Sequence, residues 1–213
     1  RRIPRNPAKN LSAHISMNMN DPLFIETIKV YEGKFIHAPL HFRRMEQTIR
    51  EVFGLYNTFN LPDDLIPSEY RQGVVKCRIE YGTQIQKIEF IPYVPRSIHS
   101  LKIVEENQID YHLKYADRQD LNRLLALKDN CDDILITRSG SITDTSYSNV
   151  AFFDGSGYVT PSTFLLNGTQ RQFLIKVEDL SVNDLPRFRS LHIINAMIGL
   201  EDGIFIEIPK VIL

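Results

Sequence analysis

Between Leu23 and Tyr31 the chain reads LFIETIKVY, a run rich in β-branched and aromatic residues. Glu32-Gly33 with Lys34 supplies a turn before FIH returns, which predicts a β-hairpin. From Leu40 to Phe53 the rhythm changes. Met45, Ile49, Val52 and Phe53 recur at helical spacing, and Gly54 stands where a helix would end, so this stretch predicts a helix with one buried face. GVVKCRIEYG at 73–82, IQKIEFIPYVP at 85–95 and LKIVEE at 101–106 predict three more strands. After Lys114, Asp117 is placed to cap a helix whose Leu121, Leu124 and Leu125 share a face. ILIT, SITDTSYSNVAFF and YVTP then alternate with the Gly-bearing turns RSGS and DGSG, a meander of strands. TQRQFLIKV after Gly168 predicts a second helix, and LHIINAMIGL with IFIEI predicts buried strand, or strand and turn.

This pattern is α+β. A chain of 213 residues fits one large domain or two small ones, and a change of character near 95–110 divides it into a small part over 17–105 and a larger, sheet-rich part over 106–213. Residues 1–16 carry Arg1, Arg2, Arg5 and Lys9 without the apolar stretch of a secretory signal; they read as a mobile arm or a remnant of cloning, with Met17 as the start. Charge changes the picture by exclusion. With 25 basic against 26 acidic side chains, no global field draws nucleic acid. No apolar run approaches the ~18 residues of a membrane span. Cys77 and Cys131 have no metal-ligand or CxxC spacing and read as reduced thiols, so the expected compartment is the cytoplasm and no metal is expected.

Four features carry candidate chemistry. Lys114 in YHLKYADR lies between an apolar approach and a helix start. SITDTSYSNVAFF sets a carboxylate, hydroxyls and an amide on strands leading into an apolar pair. LLNGTQR offers Gly168 and Thr169 at a predicted helix start, where backbone N–H groups and a hydroxyl face an anion. Arg44 follows His41 by one turn of a helix that must touch the sheet. Singly, each has an ordinary reading: a solvated lysine, a turn-capping aspartate, a loop glycine, an arginine in a salt bridge.

Together, their order and spacing resemble the fold-type IV enzymes that use pyridoxal 5'-phosphate (PLP), the class IV aminotransferase family that includes branched-chain and D-amino acid aminotransferases and aminodeoxychorismate lyase. The likeness runs from about Leu23 to Ile204 and implies a two-subdomain fold with a small α/β N-terminal part. LFIETIKVYEGKF resembles the family's opening strand and hairpin, and LHFRRM its H-x-x-R helix, which implies that Arg44 reaches the cofactor phosphate. Lys114 falls where the family places its Schiff-base lysine, and in KYADR an arginine follows by four, as in the lyase branch. DDILITRSGSITDTSYSNVAFF resembles the most diagnostic family signature; it implies that Asp144 pairs with the pyridine nitrogen and that Ser148 and Asn149 belong to the cofactor site. YVTPSTFLLNGTQRQFLI implies a phosphate role for Gly168, Thr169 and Gln170. IINAM implies that Asn195, Ala196 and Met197 close the pocket. The resemblance also implies a homodimer and a small amino-acid-like substrate.

The chain departs from the pattern in three places. Asp144 stands where glutamate is usual, one methylene shorter. The Gly-rich loop of the lyases between Gly82 and Lys114 is absent. LIKVEDL is short, through either a segment absent here or a deletion. Lys76 and Arg78 share one face of a strand by period two and either receive a substrate carboxylate or are surface charges. The implied activity is amino transfer or elimination of pyruvate from aminodeoxychorismate; the alternative is a catalytically weak PLP-binding relative, blunted by the Glu-to-Asp change.

Overall fold

The computed structural model describes residues 21–173 and 176–213; the arm expected over residues 1–16 lies outside them. Strands β1 (Phe24–Tyr31), β2 (Lys34–Phe35), β3 (Val74–Tyr81) and β4 (Ile85–Pro92) form an antiparallel sheet in the order β2-β1-β3-β4, and helix α1 (Ala38–Phe53) packs on it. The hairpin between β1 and β2 turns at Glu32 and Gly33, both with positive φ, the backbone that a tight antiparallel turn requires. Period two decides the faces: Phe24, Glu26, Ile28 and Val30 point inward and are buried. Phe24, Ile28 and Val30 meet Met45 and Ile49 of α1 and Ile79 and Tyr81 of β3 in one core.

The rest is built on two further sheets. One has the order β13-β5-β6-β7, from Val211–Ile212, Leu101–Glu105, Asp133–Arg138 and Ser141–Thr145; the other has β10-β9-β8-β11-β12, from Val177–Glu178, Tyr158–Pro161, Asn149–Phe153, Ser190–Ile194 and Phe205–Glu207. Leu101, Leu135, Ile142, Phe152 and Ile193 pack between them. Helix α2 (Gln119–Leu125) lays Leu121 and Leu124 against Ile134 and Ile136 of β6. The cap position falls to Arg118, one residue beyond the Asp117 that the sequence suggested, and Asp117 accepts the Gln119 N–H from just outside the helix at 2.9 Å.

One element corrects the sequence reading. Among the described residues, the stretch predicted as a helix after Gly168 holds a three-residue 3-10 turn at Arg171–Phe173, and Val177 is already in strand β10. Sheet hydrogen bonds compete for this backbone: Thr160 N–H donates to Lys176 O (3.1 Å) and Ser162 N–H to Glu178 O (2.7 Å). A helix through Val177 would forfeit both.

Candidate active site

Lys114 is held by its backbone before its side chain matters. Its carbonyl accepts the Ile25 N–H at 2.9 Å, and Ala116 N–H donates to Leu23 O at 2.8 Å, so the segment 113–116 is laid along the edge of β1. The rings of Phe24 and Tyr115 meet at a tilt with centroids 5.3 Å apart. The segment therefore sits beside Glu26, where the first sheet meets α1.

Glu26 is the group that sequence reasoning passed over. It is a fully buried carboxylate among apolar neighbours, and such a charge is retained only if it is paired. His41 Nδ1 lies 2.9 Å from Oε1; Arg44 donates from Nε to Oε2 (2.9 Å) and from Nη2 to Oε1 (2.6 Å); Thr27 N–H adds a bond at 2.9 Å. Burial works to raise its pKa, but Arg44 and His41 hold the carboxyl well below the usual range. The signal was legible: an acid on the inward, period-two face of β1, opposite a helix offering His and Arg three residues apart. Arg44 thus spends its fork on Glu26; only Nη1 remains, donating to Asn167 O at 3.2 Å, and Arg44 still lines the hollow.

Lys114 keeps some exposed surface, but its amine lies so deep among protein atoms that burial, opposed by Glu26 and aided by Arg44 and Arg118, brings its pKa down to about 8. Across the same hollow stands Asp144, 5% exposed, at the end of β7. Its Oδ2 accepts the Leu165 and Leu166 N–H groups (3.2 and 3.0 Å), and its Oδ1 accepts Asn149 Nδ2 (2.9 Å). Burial nevertheless pushes the carboxyl up to about 7. Asn149 ties this carboxylate to the turn beyond, because its Nδ2 also donates to Leu166 O and its Oδ1 accepts Gly168 N–H at 3.1 Å. A Cβ at residue 168 would lie 2.0 Å from Asn149 Oδ1, so only glycine allows this approach.

Most of the predicted site residues converge. Arg44, Lys114, Asp144, Ser148, Asn149, Gly168, Thr169, Asn195 and Ala196 all line one hollow. Ser148 Oγ accepts Asn195 Nδ2 at 2.8 Å, and Asn195 Oδ1 accepts the Met197 N–H at 2.8 Å, which fixes the NAM turn. Gln170 is not among the residues lining it. Lys76, Arg78 and Met197 lie on a second hollow, reached from the other side of Lys114 and sharing five lining residues with the first. Arg118, Tyr111 and Tyr147 also line the first hollow; of these, only Arg118 carried a sequence signal, its place four residues after Lys114.

The donor set suits a pyridine aldehyde phosphate: an amine able to lose its proton near neutrality, a buried carboxyl across from it, and an arginine and a glycine turn for an anion. The hollow is narrow, about 60 Å3, so entry of the ring requires side-chain rotation, a common change between free and bound proteins.

Residues 93–201 match the family described as Amino-transferase class IV. An uncharacterized protein of Haemophilus influenzae is 35% identical over 189 residues, covering 84% of this chain and 99% of that one. A crystal structure from Haemophilus somnus, of a candidate 4-amino-4-deoxychorismate lyase, is 30% identical with a TM-score of 0.75, covering 85% of this chain and all of the other. A hypothetical aminotransferase from Mycobacterium tuberculosis in a PLP-bound form shares the fold, with a TM-score of 0.65 at 15% identity over 92% of this chain and 83% of that one. Diagnostic motif, fold and convergent site agree with the match in sequence: the chain belongs to the class IV aminotransferase family.

Proposed function

We propose that this protein is a PLP-dependent enzyme acting on the amino group of a small amino-acid-like substrate, with Lys114 as its attachment and proton-transfer residue. One observation carries the reading: an amine with its pKa lowered to about 8 shares a hollow with a buried carboxyl and a glycine turn that tolerates no side chain. When bound, PLP supplies an aldehyde that condenses with amines and a ring that accepts electrons. The chain's own groups do the rest. Lys114 presents an uncharged amine, then takes and returns the proton at the substrate's α-carbon. Asp144 would hold the ring nitrogen, kept in place by Leu165, Leu166 and Asn149. Arg44, braced by Glu26, and the Gly168–Thr169 turn would hold the phosphate, while Ser148, Asn195 and Ala196 wall the ring.

Borohydride reduction followed by mass spectrometry should find a single pyridoxyl adduct, on Lys114, and Lys114→Ala should abolish it and lower turnover by at least ~10²-fold. An adduct elsewhere, or none, rejects the reading. Two outcomes of the chemistry are distinguished by assay. Elimination releases pyruvate and 4-aminobenzoate from aminodeoxychorismate with no keto-acid acceptor; amino transfer requires one. The 30% identical lyase-like structure and Arg118, four residues beyond Lys114, favour elimination. If Asp144 blunts catalysis, Asp144→Glu will raise turnover. We also assign the working form as a homodimer, which sedimentation of the holoprotein tests, and the cytoplasm as its compartment, where the buried thiols of Cys77 and Cys131 stay reduced.

A further inference from the structure

Asp133 begins β6 and is 1% exposed, a buried carboxyl that the chemistry above does not use. Among the described residues it forms no ion pair. Burial raises its pKa, against the Ile134 and Ser146 N–H groups, the Ser146 hydroxyl and the charge of Arg96. Its Oδ1 accepts the Ile134 N–H at 2.7 Å, and its Oδ2 accepts the Ser146 hydroxyl at 3.0 Å. A buried carboxyl without a cationic partner costs stability. Its presence therefore calls for an explanation, and Ser146 supplies one.

Thr145 N–H donates to Ser148 O at 2.8 Å, and Thr145 Oγ1 accepts the Ser148 N–H at 3.1 Å, which closes the turn between β7 and β8 with Ser146 and Tyr147 at its tip. That tip lines the Lys114 hollow. Ser146 O accepts Arg118 Nη2 at 2.7 Å, and Arg118 Nη1 donates to Tyr111 Oη at 3.3 Å. Both acceptors are neutral, so no carboxylate draws this guanidinium, and the shorter bond, to the Ser146 carbonyl, does most to fix where its charge sits. Arg118 and Lys114 line both hollows together, and a cation there opposes protonation of the amine.

We propose that Asp133 is a positioning residue for Lys114: by fixing the tip of the β7–β8 turn, it aims the Ser146 carbonyl at Arg118 and holds that guanidinium beside the reacting amine. The inference deepens the reading of Lys114 given above and rests on it. The sign of one substitution separates it from a bare charge effect. Removing a negative charge disfavours a protonated lysine and lowers its pKa, whereas releasing Arg118 from its place raises it.

Competitive acetylation with acetic anhydride, read by mass spectrometry at Lys114 in the full chain freed of PLP, gives the titration midpoint of the amine in each variant. Asp133→Asn keeps the shape but sets a donor against the Ser146 N–H. It should raise the midpoint by about 0.3 pH units, roughly a twofold loss of neutral amine at pH 7. In an Arg118→Gln background the same substitution should change nothing, because the two residues act in series. Ser146→Ala, which keeps the carbonyl and loses its tether, should give a smaller rise with the same dependence on Arg118, and it decides the matter if Asp133→Asn does not fold. An unchanged or lowered midpoint, or an equal rise with and without Arg118, overturns the proposal. Acetylation needs no cofactor, so a wild-type chain that gives no pyridoxyl adduct would sink the cofactor reading while the arrangement around Lys114 is still measured.

Discussion

A lysine amine useful near neutrality needs fewer protons than solvent would give it, and desolvation at Lys114 supplies that, trimmed by charges of both signs. Capture of PLP, followed by absorbance against pH, should rise with a midpoint near about 8; a midpoint near 10.5 would mean that the amine is solvated. Arg118 lowers the Lys114 pKa, so Arg118→Gln should move the midpoint upward. Glu26 acts at the same scale through its partners. Its folded pKa lies below its unfolded value, so its stabilisation is fully present above ~4.5 and is lost as pH falls through the folded value. Glu26→Gln strands the buried Arg44 and His41, and urea melts at pH 7 should show a loss of about 3–5 kcal/mol, with a flatter acid limb than the wild type.

At the scale of elements, the site depends on how the ends of β7 and β8 are tied to the loop 165–168. Asn149 opens β8, and its one side chain bonds Asp144, Leu166 and Gly168. Gly168→Ala places a methyl group inside that contact, and we expect about 1–3 kcal/mol of destabilisation in thermal melts, together with faster loss of bound PLP on dialysis. Unchanged retention would show that the turn does not hold the phosphate. The same region shows why local pattern misreads elements: TQRQFLIKV follows a loop with the marks of a helix start, but pairing of Val177 and Glu178 with β9 recruits its end into a sheet.

Across the whole molecule, the pH dependence of stability sums opposing buried groups. Asp144 keeps its proton more tightly folded than unfolded, with a folded pKa of about 7 against 3.8. The folded state therefore binds the extra proton between those values, and this group's contribution falls as pH climbs from about 4 to about 7. In protein freed of PLP, Asp144→Asn should remove that slope from denaturant-derived stabilities, whereas a difference from wild type that is constant with pH would show that Asp144 ionises freely. The amino-acid order by itself determined the strands 73–82 and 101–106 to within a residue or two and the α1 helix with its Gly54 end, because periodicity is a local property of a chain, while Lys114, Asp144, Asn149 and Gly168 stood out through the resemblance of their motifs to a family. Only the tertiary structure decided that Arg44 spends its fork on Glu26, that Gln170 lies away from the hollow, and that Lys76, Arg96, Arg118 and Tyr147 meet around one cavity. Those residues are far apart in sequence, and whether a charge is paired, buried or shared depends on which distant backbone the packed sheets bring beside it.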